Sequence, residues 1–68
     1  MHPTHRRLIM HIKQLREKSG ITQEALAKKA GLSLGYIGRL EIGRHDPSLS
    51  TLIKLAKALK VKPGELLE

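Results

Sequence analysis

The sequence predicts a small all-α domain. Its 68 residues, 40% of them hydrophobic, suffice for a single core. Apolar residues recur at helical spacings of three and four, and no stretch alternates with the period of two that is typical of a strand. Capping residues, glycines and prolines divide this pattern into five short segments. We therefore expect a compact five-helix fold.

The first helix is expected over about residues 5–18. Its apolar positions fall on one helical stripe, namely Leu8, Ile9, Ile12 and Leu15. Thr4 is placed to cap its N-terminus, and Gly20 is placed to end it.

The second and third helices use the same signals. Thr22 is the expected N-cap of the second helix, and Ser33 is the expected N-cap of the third. Each cap is preceded by an apolar residue and followed four positions later by another, as in a hydrophobic staple. Gly31 and Gly43 end the two helices. Because only about three residues connect the second helix to the third, the two helices have the signature of a helix-turn-helix.

The fourth helix is expected from about Leu49 to Leu59, after a break at residues 46–48. Either Ser48 or Ser50 caps it. Its predicted buried side consists of Leu49, Leu52, Ile53, Ala56 and Leu59. Pro63 then opens a last short turn through Leu66 and Leu67.

Composition excludes several classes of protein. The chain has no cysteine, so neither disulfides nor a cysteine zinc site can stabilise it. Tyr36 is its one aromatic residue, which is too few for a platform that stacks RNA bases. It has no apolar run of about 18 residues and no signal peptide, which indicates a cytoplasmic setting and no membrane association.

The charge balance points to an acidic partner. The formal net charge is +7, and nucleic acid is the commonest partner of such a chain. Residues 1–20 carry +4, residues 21–47 carry +1 and residues 48–68 carry +2. We expect residues 1–7 to form a flexible basic arm before the folded domain over residues 8–68. Arg6 and Arg7 of that arm would contact phosphates or the minor groove.

More than fifteen positions at fixed spacing resemble the Cro/phage-repressor (xenobiotic-response-element) helix-turn-helix family. They lie within about residues 8–67 and comprise residues 21–27, 31–33, 36–37, 39–41, 43–44, 47–49 and Leu52. The resemblance implies a lambda-repressor-like domain whose third helix enters the DNA major groove while the second crosses the backbone.

The resemblance also implies roles for single residues. Gln23 would cap the second helix against a phosphate and brace the third. Arg16 and Glu41 match a buried ion pair of several phage repressors. The remaining contacts to DNA would come from Ser33, Leu34, Gly35 and Arg39 in the groove, Tyr36 at a phosphate, and Arg44 along the backbone.

The sequence departs from the family pattern in two places. Family members usually carry polar base-readers where this chain has Leu34 and Gly35, so we expect sparse direct readout. Arg39 would make the main base contact by donating hydrogen bonds to a guanine. The alternative is that Arg39 contacts only phosphate or solvent. Lys60 stands where the family commonly has glycine, so we expect either a mildly strained left-handed residue there or a fourth helix that runs on slightly.

Other interpretations of the same features are weaker. Residues 35–38 fit the GxxG loop of KH domains, but that fold requires strands. The four histidines, His2, His5, His11 and His45, lack the spacing of a helical metal-ligand pair, and we interpret His2 and His5 as solvated tail residues and His11 as a helix-surface residue. We expect no cofactor and no enzyme activity.

The favoured hypothesis is a transcriptional regulator, with repressor as the favoured role, that binds double-stranded DNA as a homodimer. Leu66, Leu67 and the end of the fourth helix would form the dimer surface, or the two leucines would close the core instead. The alternative is a protein-interaction module, such as an antitoxin that masks a toxin, or an adaptor to a regulator.

Overall fold

The computed structural model describes residues 3–68, with side chains from residue 5 onward, so the Thr4 side chain, predicted as a cap, and His2, predicted as a tail residue, lie outside what it describes. The elements are α1 (Pro3–Lys18), α2 (Gln23–Ala30), α3 (Leu34–Glu41), α4 (Leu49–Ala58) and a 3₁₀ helix (Pro63–Leu67). No strand occurs within residues 3–68. The all-α prediction is confirmed. The fifth helix is 3₁₀ rather than α, since five residues are too few to sustain α-helical hydrogen bonding.

The first helix starts earlier than expected. Because α1 begins at Pro3, residues 3–7 belong to its first turns and not to a flexible arm. His5 is partly buried rather than solvated: its Nδ1 lies 2.8 Å from Asp46 Oδ1, and its Nε2 lies 3.0 Å from the carbonyl oxygen of His45. His11 is also partly buried, with Nδ1 3.2 Å from the carbonyl oxygen of Leu66.

Three hydroxyl side chains cap the next three helices. Thr22 Oγ1 accepts the amide of Ala25 at 3.0 Å, and Ser33 Oγ accepts the amide of Tyr36 at 3.0 Å. At α4, the cap is Ser48 and not Ser50, because Ser48 Oγ accepts the amide of Thr51 at 3.2 Å. Each cap satisfies one amide that the helix itself leaves without a partner.

The four α-helices all end in the same type of left-handed turn. It occurs at Gly20, Gly31, Gly43 and Lys60, with φ values of 74°, 70°, 80° and 59°. In each case the next residue donates its amide to a carbonyl five positions back, as in a Schellman motif. Lys60 is the one non-glycine residue with positive φ in the described part of the chain, which agrees with the first of the two alternatives expected at this position.

The core lies where all five elements meet. Helix α2 packs against α3 and α4, and α1 packs against α3 and the 3₁₀ helix. Leu66 is fully buried and closes the core, so it is not part of any dimer surface, whereas Leu67 is exposed. The fully buried side chains are Ile12, Leu26, Ile37, Leu40, Leu55 and Leu66.

Helix α4 carries a wider apolar stripe than the fold covers. Leu55, Ala56 and Leu59 are buried, but Leu49 is 71% exposed and Ile53 is 46% exposed, so their predicted burial is wrong. These two residues lie one turn apart on the same edge of the stripe, rotated away from the core. An apolar edge of α4 therefore faces solvent.

Replacing Lys60 with glycine should stabilise the fold. A side chain in the left-handed region costs about 1–2 kcal/mol, of which the greater freedom of unfolded glycine offsets part. We expect Lys60→Gly to raise the free energy of unfolding by about 0.5–1 kcal/mol in urea titrations. The matched control is Lys57→Gly inside α4, which should lower that energy by about 1 kcal/mol. A lower Tm for Lys60→Gly would contradict the strain.

Candidate nucleic-acid interface

Helix α3 divides cleanly into an inner and an outer face. Ile37 and Leu40 are fully buried against the other helices. Leu34, Gly35 and Arg39 are exposed. Since residues 35 and 39 are four positions apart, their positions lie one above the other on the outer face. The helix thus offers a short solvent-facing surface on a rigidly packed body.

The pose of α3 is fixed by an ion pair at its C-terminal end. Arg16 of α1 donates from Nε to Glu41 Oε2 at 2.7 Å and from Nη2 to Glu41 Oε1 at 3.1 Å. The two residues that match the family's buried pair are thus in bidentate contact. Such a fork fixes the relative orientation of both partners as well as their distance.

Two further hydrogen bonds extend this pair to the helix-turn-helix. Gln23, the first residue of α2, donates from Nε2 to Glu41 Oε1 at 2.9 Å. Arg16 Nη1 donates to the carbonyl oxygen of Ile21 at 2.8 Å. The Glu41 carboxylate therefore joins α1, α2 and α3, and Arg16 adds a contact to the turn before α2. We call Arg16, Glu41 and Gln23 the brace.

The brace is largely removed from water. The Glu41 side chain is 2% exposed and the Arg16 side chain is 12% exposed. The hydrogen bond to Glu41 raises the pKa of Arg16 above its ordinary value, against the opposing effect of burial. Because that value already lies far above neutral pH, Arg16 remains charged wherever the protein is folded at ordinary pH.

Helix α3 contains two glycines, Gly35 and Gly38, and the atoms nearest to each belong to a side chain rather than to the backbone of another helix. A Cβ added at Gly35 would lie 3.1 Å from Nη1 of Arg39, so the Arg39 guanidinium lies over this position. A Cβ at Gly38 would lie 3.9 Å from Gln23 Oε1, which is ordinary contact. Gly35 is therefore the glycine whose side-chain absence matters for the outer face.

The loop after α3 contains a cluster that the sequence analysis missed. The rings of Tyr36 and His45 stack with centroids 4.5 Å apart and an interplanar angle of 15°. Arg39 Nε donates to His45 Nε2 at 3.0 Å. On α1, His5 reaches the same loop through His45 and Asp46. No local spacing signals the contacts of His5, because His5 and His45 are 40 residues apart in sequence.

The basic residues are only partly gathered around α3. Arg39 and Arg44 are exposed at its C-terminal half and in the following loop. Arg6 is exposed on α1. Arg7 instead donates from Nη2 to the carbonyl oxygen of Glu68 at 3.1 Å, so it lies beside the C-terminal end and is not brought to α3.

This geometry, two short helices joined by a tight turn with the second exposed on one face, agrees with the comparisons with known proteins. A family model described as helix-turn-helix (HTH_3) matches residues 12–66. The chain belongs to the HTH_3 helix-turn-helix family.

Relatives within the family are close in sequence and in structure. This helix-turn-helix domain is 43% identical over 53 residues to the uncharacterized HTH-type transcriptional regulator y4dJ of Sinorhizobium fredii, covering 78% of this chain and 69% of that protein. It is 40% identical over 58 residues to the control protein C.BamHI of Bacillus amyloliquefaciens, covering 84% of this chain and 72% of that one. The solved structure of the restriction-modification controller protein C.AhdI from Aeromonas hydrophila superposes with a TM-score of 0.90 at 35% identity, covering 96% of this chain and 98% of that chain.

Within the described residues, none of the helices has the length and apolar character needed to cross a bilayer.

Removing one partner of the brace should destabilise the fold strongly. Arg16→Met leaves the carboxylate of Glu41 buried without its cation, which we expect to cost about 3 kcal/mol of unfolding free energy in urea titrations. The double variant Arg16→Met with Glu41→Leu should recover most of this loss, because an apolar pair leaves no buried charge. Exposed Glu17→Gln is the control and should change stability by less than about 0.5 kcal/mol. A loss below about 1 kcal/mol in Arg16→Met would contradict the role given to the brace.

Proposed function

We propose that this protein is a transcriptional regulator, acting as a repressor, that binds duplex DNA with α3 in the major groove. The observation that carries the proposal is the exposed outer face of α3 on a helix whose inner face and C-terminal end are fixed by packing and by the brace. A recognition helix needs both properties, because base contacts demand a rigid pose. The net charge of +7 supplies attraction to the phosphate backbone.

Base reading would rest on few side chains. Arg39 can donate two hydrogen bonds to O6 and N7 of a guanine, and Leu34 can contact a thymine methyl group. Ser33 lies at the N-terminus of α3, where helices enter the groove, and Gly35 leaves room on the outer face for the Arg39 guanidinium. Sequence-dependent DNA shape would add to the specificity of this sparse set.

Backbone contacts would position the domain. Gln23 at the start of α2, Tyr36, and Arg44 in the loop after α3 are the candidates nearest the recognition helix. Arg6 on α1 would add a further phosphate contact, whereas Arg7 lies beside Glu68. Contacts of this kind set register on the duplex without reading its sequence.

The names of the relatives favour control of transcription as the role. One is named an HTH-type transcriptional regulator, and two are named control or controller proteins. The helix-turn-helix and its outer face are the parts through which this chain would exert the same kind of control.

We further propose that the protein acts as a homodimer through α4. A single module of this size buries about 600–1,000 Å² on DNA, less than most specific complexes. Two copies would read half-sites about 34 Å apart. The exposed apolar edge formed by Leu49 and Ile53 fits a self-complementary contact, while the predicted interface at Leu66 is excluded by its burial.

DNA binding should be strongly salt-dependent. If each subunit neutralises about four phosphates, log K should fall with log salt at a slope of about −3.6 per subunit. The measurement is fluorescence anisotropy with a duplex obtained by in-vitro site selection and with a scrambled duplex. A flat salt dependence would contradict nucleic acid as the partner and favour a protein ligand.

Arg39 and Arg44 form a matched pair for separating reading from positioning. Arg39→Ala should reduce the difference in binding free energy between selected and scrambled duplex by about 1–3 kcal/mol, because a bidentate base contact is lost. Arg44→Ala should weaken both duplexes alike and lower the salt slope by about one. An unchanged ratio in Arg39→Ala would overturn its assignment as a base reader.

Dimerisation should depend on the α4 edge. Ile53→Lys should raise the dimer dissociation constant at least about tenfold in sedimentation equilibrium, because a buried apolar contact is replaced by a charge. Leu67→Lys, at the exposed C-terminal leucine, is the control and should leave it unchanged. If Leu67→Lys dissociates the dimer and Ile53→Lys does not, the interface lies at the C-terminus. A wild type that stays monomeric would refute the homodimer.

A further inference from the structure

We propose that His45 is the positioning residue of Arg39 and that protonation of His45 releases Arg39 and weakens sequence discrimination. The inference rests on the proposed function, since Arg39 is taken as the main base reader. It starts from the 3.0 Å hydrogen bond between Arg39 Nε and His45 Nε2.

His45 is itself held in place from two sides. Its ring stacks on Tyr36 of α3, which fixes the plane of the imidazole. Its carbonyl oxygen lies 3.0 Å from His5 Nε2, and the next residue, Asp46, lies 2.8 Å from His5 Nδ1. The loop is thus anchored to both α3 and α1, so His45 presents Nε2 to Arg39 from a fixed position.

The hydrogen bond orients Arg39 without consuming its reading edge. It uses Nε, and none of the hydrogen bonds found within the described residues uses Nη1 or Nη2. The guanidinium lies over Gly35, where no side chain displaces it. Nη1 and Nη2 together form an edge that can donate to both guanine acceptors. Holding a flexible arginine in this way reduces the entropy that it loses on binding.

The contact exists only with neutral His45. Nε2 can accept from Arg39 when the ring proton is on Nδ1, and a second proton would turn Nε2 into a donor facing a permanent cation. The titratable or charged groups that face His45 are Arg39 and Tyr36 from α3 and His5 from α1, with Asp46 adjacent in the loop. His5 behaves in the opposite sense, because both of its nitrogens face oxygens and its protonated form can donate to both. Acidification therefore removes the Arg39 contact while preserving the anchor at His5.

The test compares His45→Ala and His45→Gln with the wild type. The affinity ratio between selected and scrambled duplex is measured at constant ionic strength at about pH 8 and about pH 5.5, the range in which histidine titrates. In the wild type, this ratio should fall about tenfold between about pH 8 and about pH 5.5. In His45→Ala, the ratio should be about tenfold below the wild-type value at about pH 8, and it should stay at that low level at about pH 5.5. His45→Gln offers an amide oxygen that accepts from Arg39 without titrating, so it should retain discrimination at both.

His11→Gln is the control, since His11 contacts neither Arg39 nor the loop that carries His45. It should keep the pH dependence of the wild type, and circular dichroism checks that every variant is folded. If His45→Ala discriminates as well as the wild type at about pH 8, or if His45→Gln remains as pH-sensitive as the wild type, His45 does not position Arg39. Either result leaves the proposed function intact when the selected duplex is still preferred. Absence of salt-dependent binding in the wild type would instead refute the proposed function, and this inference with it.

Discussion

The buried carboxylate of Glu41 is the constraint on which this fold depends most. A charge with 2% exposure is tolerated only because Arg16 and Gln23 donate three hydrogen bonds to it. Those donors belong to α1 and to the start of α2, and the carboxylate belongs to the last residue of α3. Satisfying one buried charge therefore requires the three helices to meet in one arrangement. Apolar packing stabilises the domain, and the brace makes its geometry specific.

The outer face of α3 follows from the same arrangement. With Ile37 and Leu40 in the core and Glu41 in the brace, Gly35 and Arg39 must face solvent. The loop after α3 is then anchored by His5, which places His45 beside Arg39. Rigidity and exposure are combined here within eight residues, and a helix that reads DNA needs both.

Local chemistry made most of the fold predictable. The caps at Thr22 and Ser33, the stops at Gly31 and Gly43, and the left-handed Lys60 are decided within a few residues, so the sequence predicts them well. Tertiary features were less accessible. Helical spacing shows that α4 has a broad apolar stripe, but it cannot say which edge the other helices cover. Likewise, only the position at which α4 begins decides that Ser48 and not Ser50 is the N-cap.

The site shows the same division. The resemblance to phage repressors anticipated the contact between Arg16 and Glu41. The cluster of His5, Tyr36 and His45 has no sequence signature, because it depends on how the loop after α3 folds back and on a contact between His5 and His45, 40 residues apart. An NMR titration of isotope-labelled protein with the selected duplex shows whether α3 contacts DNA. Our prediction is that the largest shifts fall at residues 33–44, including the Arg39 side-chain Nε. Shifts confined to Leu49, Ile53 and the rest of α4, with α3 unchanged, would contradict it.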